Sequence, residues 1–256
     1  MKLEGKISII TGGATGLGKA MALEFANAGA DVVVCSRNKD NIEKARDEIM
    51  ALGRRSLAIV TDVCVKEQVA NMVKKVIDEF GRIDILVNNA GTSRSMPILD
   101  LTEDFWDLIL DTNLKGVFLC TQAVAKHMVE QKYGKIINIT STAALGSIEV
   151  GESAYVASKF GVVGFTKASA RELGPYGINV NAIAPGRILT NIVYAHSTPE
   201  RVKRFIEVGK AACLLGRLGT PEDIAHLALF LASDDASFIN AETIACNGGR
   251  TNLMGH

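Results

Sequence analysis

Short runs of β-branched and aliphatic residues alternate along the chain with longer segments in which apolar residues recur every three or four positions. The short runs predict strands, and most are continuously apolar, as expected when both faces of a sheet are covered. The longer segments predict helices, so the alternation predicts βαβ units that build a parallel sheet. The seven predicted strands span residues 6–11, 31–36, 56–61, 84–88, 134–140, 178–183 and 243–246.

Residues at the ends of the apolar segments predict where several helices begin and end. The helical pattern after the second strand stops at Gly53 and the one after the third stops at Gly81, and glycine is favoured just beyond a helix. Thr220 and Pro221 suit the cap and the first position of a later helix. The predicted fold class is therefore α/β, with a doubly wound parallel sheet between two layers of helices.

Composition and charge narrow the kind of protein. The 256 residues are 48% hydrophobic, and 28 Lys and Arg residues balance 28 Asp and Glu residues. No linker of biased composition divides the chain, so one domain over residues 1–256 is expected. Without a long run of one charge or eighteen consecutive apolar residues, we expect a small-molecule partner rather than a nucleic acid or a membrane. The five cysteines lack metal-binding spacing, so we expect no metal and a reducing, cytoplasmic location.

A glycine-rich loop follows the first predicted strand and opens a helix. It reads Thr-Gly-Gly-Ala-Thr-Gly-Leu-Gly over residues 11–18. In this setting, small residues let the backbone turn sharply and approach a diphosphate at the helix N-terminus. A simple tight turn between strand and helix is the alternative. The loop residues predicted to bind a dinucleotide are Gly12, Thr15, Gly16, Leu17 and Gly18.

Tyr155 and Lys159 are four residues apart, so on a helix they project from one face. A phenol with a pKa of about 10 is a poor base at neutral pH, but an adjacent ammonium favours the phenolate and would make Tyr155 a usable general acid or base. Ser141 ends the fifth predicted strand, at the edge where open α/β sheets bind ligands, so its hydroxyl is expected to hold a substrate oxygen. An isolated pair of this kind is weak evidence, and the prediction depends on its combination with the other motifs.

Together with Asn88-Asn89-Ala90-Gly91 after the fourth strand, these motifs resemble the short-chain dehydrogenase/reductase family over essentially the whole chain. The resemblance implies a Rossmann-type sheet and an NAD(P)-dependent alcohol dehydrogenase or ketone reductase, which moves a hydride between the nicotinamide and a carbinol or ketone. It also implies that Asn113 completes a catalytic tetrad with Ser141, Tyr155 and Lys159. The further cofactor contacts it implies are Asp62, Val63, Asn89, Ala90, Gly91, Tyr155, Lys159, Pro185, Gly186, Ile188 and Thr190.

The residues after the second strand bear on the choice of cofactor. A site for NAD usually places a carboxylate there to accept the ribose 2′-hydroxyl. This chain has Ser36, Arg37 and Asn38 instead, and a guanidinium makes charge-assisted bonds to a 2′-phosphate. We therefore expect NADP(H) to be preferred. NAD(H) is the alternative, with Arg37 a solvated loop residue.

The substrate is the least determined part of the prediction. Arg94, Arg187 and His196 lie in segments that, by the resemblance, border the substrate pocket beside Ser141 and Tyr155. They favour a small polar substrate such as a sugar acid, polyol or ketoacid, whereas solvated loop residues are the alternative. Residues 187–215 form a candidate lid. Two other functions stay open: an acyl-carrier 3-oxoacyl ketoreductase, and a catalytically silent nucleotide-binding regulatory subunit.

The resemblance also implies a homotetramer of D₂ symmetry. Residues 240–249 read Asn-Ala-Glu-Thr-Ile-Ala-Cys-Asn-Gly-Gly, whereas the family often has a sequence similar to Thr-Gly-Gln-x-Ile-x-Val-Asp-Gly-Gly. That segment supports the tetramer interface in relatives. The departure therefore bears on assembly, while catalysis is not affected by it.

Overall fold

Seven parallel strands pair edge to edge in one sheet, in the order β3-β2-β1-β4-β5-β6-β7. The structure is a computed structural model, and it describes residues 1–146, 149–190 and 198–250. The prediction of seven strands is confirmed. β6 runs two residues further than predicted because Ala184 and Pro185 pair with Ala245 and Cys246 of β7. The strands are β1 (Ile7–Thr11), β2 (Asp31–Ser36), β3 (Ser56–Val60), β4 (Ile85–Asn88), β5 (Gly134–Ile139), β6 (Ile178–Pro185) and β7 (Thr243–Cys246).

The helices begin and end close to the residues that the sequence predicts. The third helix is followed directly by Gly81, whose φ of +74° lies in the left-handed region that glycine adopts most readily. The last begins at Pro221, where the Asp223 carboxylate accepts a hydrogen bond of 2.8 Å from the backbone N–H of Thr220. A π-helical turn, Asp111–Lys115, joins α4 to α5. The helices are α1 (Gly16–Asn27), α2 (Lys39–Ala51), α3 (Lys66–Phe80), α4 (Glu103–Leu110), α5 (Gly116–Gln131), α6 (Ser153–Leu173), α7 (Pro199–Ala211) and α8 (Pro221–Ala232).

Two apolar clusters, one on each face of the sheet, hold the helices in place. Ile10 of β1 packs in the cluster formed with α1, α2 and α8, which includes Phe25. The preceding residue, Ile9, points to the other face and packs in the cluster formed with α3, α5 and α6, which includes Met72. This alternation of side chains explains why the strands are apolar throughout. The predicted doubly wound, three-layer α/β fold is confirmed.

The strand order reverses between β1 and β4, which lie next to each other although three helices and two strands separate them in sequence. Connections that leave the two strands therefore run to opposite sides, and a crevice opens at their carboxyl ends. The glycine loop follows β1, Asn89 follows β4, and Ser141 follows β5 closely. The topology thus collects the predicted site residues at one edge of the sheet.

In the ranges that the structure describes, no helix is long and apolar enough to cross a membrane. No group of histidine, cysteine and acidic side chains in those ranges is arranged to bind a metal ion. All five cysteines are free thiols.

Candidate active site

Backbone geometry explains the composition of the glycine loop. Gly12 and Gly16 have φ values of +63° and +54°, a region that larger residues rarely adopt. A Cβ atom on Gly18 would lie 2.2 Å from the carbonyl oxygen of Gly12. A larger residue at position 18 would therefore push α1 away from the loop. The first turn of α1 contains no acidic residue, so its N–H groups suit an anion.

Two polar side chains join the glycine loop to the end of β4. The Thr11 hydroxyl accepts hydrogen bonds from the backbone N–H groups of Asn89 and Ala90, at 2.9 and 3.0 Å, and donates one to the carbonyl of Val87 at 3.2 Å. The Asn89 amide donates in return to the carbonyls of Thr11 and Gly12, at 3.0 and 3.2 Å. Asn89 was predicted as a site residue, but this role of Thr11 was not, because sequence spacing does not reveal a contact between strands 76 residues apart.

Ser141, Tyr155 and Lys159 line one cleft of about 430 Å³ at the carboxyl edge of the sheet. Tyr155 and Lys159 lie one turn apart on α6, as predicted. The Ser141 side chain accepts a hydrogen bond of 3.1 Å from the N–H of Ala143 and caps the short helix Thr142–Leu145. The predicted cofactor residues that line the same cleft are Leu17, Asn89, Gly91, Pro185, Gly186, Ile188 and Thr190.

Lys159 is held in a nearly dry position, with 6% of the residue exposed. Its ammonium donates a hydrogen bond of 2.9 Å to the carbonyl of Ile139 at the end of β5. Burial lowers the pKa of Lys159 to about 8, because desolvation disfavours the charged form. The ammonium nitrogen lies 5.8 Å from the centre of the Tyr155 ring, so the two groups are neighbours in the cleft.

The pKa of Tyr155 departs from the sequence-based prediction. Burial is the largest effect and raises the pKa of Tyr155. The hydrogen bond with Ser141 lowers this pKa by a smaller amount, and the charge of Glu152 raises it further. The predicted net lowering is wrong, because desolvation of the phenolate is the largest effect. At neutral pH the phenol is therefore protonated, which is the form that delivers a proton to a ketone oxygen.

Asn113 lies in the π-helical turn and is completely buried. Its side chain accepts a hydrogen bond of 2.8 Å from the N–H of Thr92 and donates to the carbonyl of the same residue at 2.9 Å. It also donates to the Ser158 hydroxyl at 3.1 Å. A Cβ atom on Gly91 would lie 3.1 Å from the Asn113 oxygen and 3.6 Å from the Lys159 nitrogen. Asn113 therefore joins the loop after β4 to α6 directly behind Lys159, and its implied role in holding a water stays a prediction.

A second cleft, of about 450 Å³, lies on the other side of the glycine loop, where Gly12 and Thr15 meet the end of β2. Ser36, Arg37 and Asn38 line it as well. Asn38 also caps α2, since its side-chain oxygen accepts a hydrogen bond of 3.0 Å from the N–H of Asn41. Asn41 lines the cleft too and was not predicted. The guanidinium of Arg37 is exposed and makes no hydrogen bond or ion pair with any residue that the structure describes.

Asp62 and Val63 follow β3 and are not among the residues that line either cleft. The Asp62 carboxylate accepts a hydrogen bond of 3.0 Å from the N–H of Cys64. Val63 is buried, and a Cβ atom on Gly116 would lie 2.7 Å from its side chain. Their predicted contact with the cofactor therefore stays a prediction.

The predicted substrate residues have three different outcomes. Arg187 lines the catalytic cleft, Arg94 is exposed and is not among the lining residues, and His196 lies outside the described residues. The candidate lid contains α7, whose Phe205 lines the cleft with its ring 5.2 Å from the Arg187 guanidinium. Sequence reasoning missed three other charged lining residues, which are Glu149, Glu152 and Arg250.

Comparison with known proteins agrees with this geometry. A family model described as enoyl-(acyl carrier protein) reductase matches residues 12–251. The chain is 45% identical over its full length to the (2S)-[(R)-hydroxy(phenyl)methyl]succinyl-CoA dehydrogenase subunit BbsD of Thauera aromatica, all of which is covered. It is 40% identical to the 3-oxoacyl-[acyl-carrier-protein] reductase FabG of Thermotoga maritima, with 97% of this chain and 99% of the relative covered.

A similar solved structure is a 7α-hydroxysteroid dehydrogenase complexed with NADH and 7-oxoglycochenodeoxycholic acid. It has a TM-score of 0.92 and 35% identity, covering 98% of this chain and 96% of the other. Fold and site together define an oxidoreductase with a Rossmann-type sheet. The chain belongs to the short-chain dehydrogenase/reductase family.

We expect the buried ammonium of Lys159 to lower the free energy of unfolding, because burial disfavours its charge. The difference between a pKa of 10.5 and about 8 corresponds to about 3 kcal/mol. The unfolded chain binds more protons than the folded one between these values, so the penalty is complete below pH 8 and disappears as the pH rises towards 10.5. We expect Lys159→Met to raise the free energy of unfolding at pH 7 by up to about 3 kcal/mol. The gain should shrink at pH 10, as measured by urea denaturation.

The control is Lys44→Met, which changes an exposed lysine of α2 in the same way. It should alter the free energy of unfolding equally at both pH values. A gain in Lys159→Met that does not change with pH would contradict the assignment of the penalty to the buried ammonium.

Proposed function

We propose that the chain catalyses the reversible transfer of a hydride between a nicotinamide dinucleotide and a secondary alcohol or ketone. The observation that carries this proposal is the shared cleft, in which Ser141, Tyr155 and Lys159 face the residues that end the glycine loop and β6. The small residues of the glycine loop and the N-terminus of α1 suit a diphosphate. When bound, the nicotinamide ring would supply or accept the hydride. The catalytically silent alternative is disfavoured because the reactive side chains are all in place.

The protein's own residues would control the proton. The hydroxyls of Ser141 and Tyr155 hold the substrate oxygen, and the raised pKa of Tyr155 keeps its proton available for a ketone that is being reduced. In the direction of oxidation, Tyr155 must first give up its own proton, and the phenolate that this leaves accepts the proton of the alcohol. The nearby Lys159 ammonium then favours the phenolate that must form when the proton is passed on.

An acyl thioester is the substrate class that we favour. Both relatives are named for reactions of acyl thioesters, one of coenzyme A and one of an acyl carrier protein. For this reason we favour an acyl thioester over a small sugar acid, polyol or ketoacid as the substrate. The reacting group would be the hydroxyl or oxo group of the acyl part.

For the cofactor, we favour NADP(H) over NAD(H). Ser36, Arg37 and Asn38 line one cleft with the glycine loop and present no carboxylate to repel a 2′-phosphate. Since Arg37 has no partner among the described residues, forming a bond to phosphate would break no existing ion pair.

The chain is also proposed to assemble as a homotetramer. Large apolar side chains are exposed on the packed helices α4, α5 and α6, and patches of this kind mark interfaces. Trp106, Leu108, Phe118 and Phe160 are between 38% and 48% exposed.

The first test is Tyr155→Phe. Loss of the hydroxyl removes the group that transfers the proton, so we expect kcat to fall by at least about 10²-fold while the Kd for the reduced dinucleotide, measured by fluorescence, stays nearly the same. Tyr176→Phe removes a hydroxyl from an exposed tyrosine and should leave kcat unchanged. Near-normal turnover in Tyr155→Phe would refute the proposed role.

The second test compares KM for NADP(H) and NAD(H) in the parent and in the double variant Ser36→Asp with Arg37→Ile. Losing a charge-assisted bond and adding a carboxylate should weaken the affinity for NADP(H) by about ten- to a hundredfold and shift the preference towards NAD(H). Arg46→Ile removes a partly exposed arginine of α2 that pairs with Asp47, and it should not move the preference. A parent that prefers NAD(H), or a double variant with unchanged preference, would count against this assignment.

The third test is the mass of the assembly by multi-angle light scattering. At micromolar concentration we expect four times the mass of the chain. Phe118→Lys should lower that mass, because it places a charge in the proposed interface, whereas Met50→Lys changes an exposed residue of α2 and should not. A monomeric parent would overturn the proposal.

A further inference from the structure

Two arginines meet at one end of the catalytic cleft, with a single carboxylate oxygen between them. Arg187 follows β6 and Arg250 follows β7, and both line the cleft that contains Ser141 and Tyr155. The same oxygen of Glu149 pairs with a terminal nitrogen of Arg187 and lies 3.5 Å from a terminal nitrogen of Arg250. The geometry therefore already accommodates a carboxylate between the two guanidinium groups.

The Arg250 side chain is only 11% exposed, and its hydrogen-bonding capacity is not filled. Its Nε atom is buried and has no partner among the residues that the structure describes, and one terminal nitrogen makes only a long contact of 3.4 Å with the Thr142 hydroxyl. Burial lowers the pKa of Arg250, and the charge of Arg187 lowers it further. A buried guanidinium with unmet hydrogen bonds is unfavourable, and such groups are retained where a ligand completes them.

Packing fixes both arginines in place. A Cβ atom on Gly186 would lie 2.8 Å from Asn247, so the backbones that carry Arg187 and Arg250 run close together. Arg187 also lies over the Phe205 ring of α7 at 5.2 Å. The two guanidinium groups are thus positioned before any ligand binds, which reduces the entropy lost on binding.

Glu149 is attached less firmly than the arginines that it contacts. Its side chain is 53% exposed, so water already solvates much of the carboxylate and stabilises it when it moves away from the arginines. A carboxylate that arrives on a ligand can therefore replace it with little loss.

We propose that Arg187 and Arg250 bind a carboxylate carried by the substrate, at a position that Glu149 occupies before the substrate binds. This inference rests on the proposed function, because Ser141 and Tyr155 define the reacting end of the same cleft. The substrate class is then a hydroxyacyl or oxoacyl thioester whose acyl part ends in a free carboxylate. A phosphate of the thioester carrier is the other source of a suitable oxyanion.

The test uses 3-oxoacyl coenzyme A thioesters of several chain lengths that end in a carboxylate, each beside its methyl ester. The parent should favour at least one acid over its ester. In Arg250→Gln and in Arg187→Gln, the ratio of kcat/KM for acid and ester should fall at least about tenfold, because a charge-assisted bond is lost. Arg250→Lys should recover part of the ratio, and Arg46→Gln should leave it unchanged.

Glu149→Gln provides the opposite change. Removing the competing carboxylate should lower KM for the acid severalfold without lowering KM for the ester. If Glu149 served only to brace the cleft, both substrates would be affected alike. That result, or an acid-to-ester ratio that the arginine variants do not alter, would overturn the inference.

N-acetylcysteamine thioesters of the same acids lack the carrier phosphates. An arginine effect seen with coenzyme A but not with these thioesters would assign the arginines to phosphate and overturn the carboxylate site. Fluorescence titration with the reduced dinucleotide shows that each variant is folded. A parent that binds the dinucleotide but turns over neither acids nor esters would refute the proposed function, whereas turnover of both without selectivity would refute only this inference.

Discussion

The hydroxyl of Thr11 connects the two strands on which the site depends. At the end of β1 it bonds to three backbone groups at the end of β4, two as acceptor and one as donor. These strands are where the order of the sheet reverses, so the connections on either side diverge. Their ladder ends at the pair of Ile10 and Val87, and beyond it the Thr11 hydroxyl, together with the Asn89 amide, ties the two ends together. The hydroxyl therefore sets the distance between the glycine loop and the Asn89 segment, and hence the width of the crevice.

Burial shifts the pKa values of Tyr155 and Lys159 on α6 in opposite directions. It lowers the pKa of Lys159 to about 8 and raises the pKa of Tyr155, so it disfavours charge on both. The site therefore holds a protonated phenol beside an ammonium whose charge is lost more readily than that of an exposed lysine. Such a pair suits delivery of a proton from Tyr155 to a ketone oxygen, whereas the reverse transfer depends on the Lys159 ammonium to stabilise the phenolate. Its unfavourable desolvation must be offset by the apolar clusters on both faces of the sheet.

Most of the fold could be predicted from the sequence because burial on both faces makes each strand a continuous apolar run. The end of β6 was missed, since Pro185 is not a typical strand residue and its pairing with Cys246 comes from the neighbouring strand. Tyr155 and Lys159 were found from their spacing on one helix. The direction of the pKa shift of Tyr155 was predicted wrongly, because spacing reveals a neighbouring charge but not the extent of burial. Arg250 escaped notice for a related reason, as it lies 101 residues from Glu149 and only the fold brings them together.

Guanidinium groups lie at both ends of the site, but they differ in their exposure to water. Arg37 is exposed at the cofactor end, where water weakens its attraction for an anion and added salt screens it. Arg187 and Arg250 are 20% and 11% exposed at the other end, where the lower dielectric strengthens both their attraction for an anion and their repulsion of each other. In the proposed complex, an anion at Arg37 would add one favourable contact to a cofactor that the glycine loop and the residues after β4 and β6 would also contact. An anion between Arg187 and Arg250 also relieves the repulsion between two largely buried cations, a role that Glu149 fills until the carboxylate of a ligand takes its place.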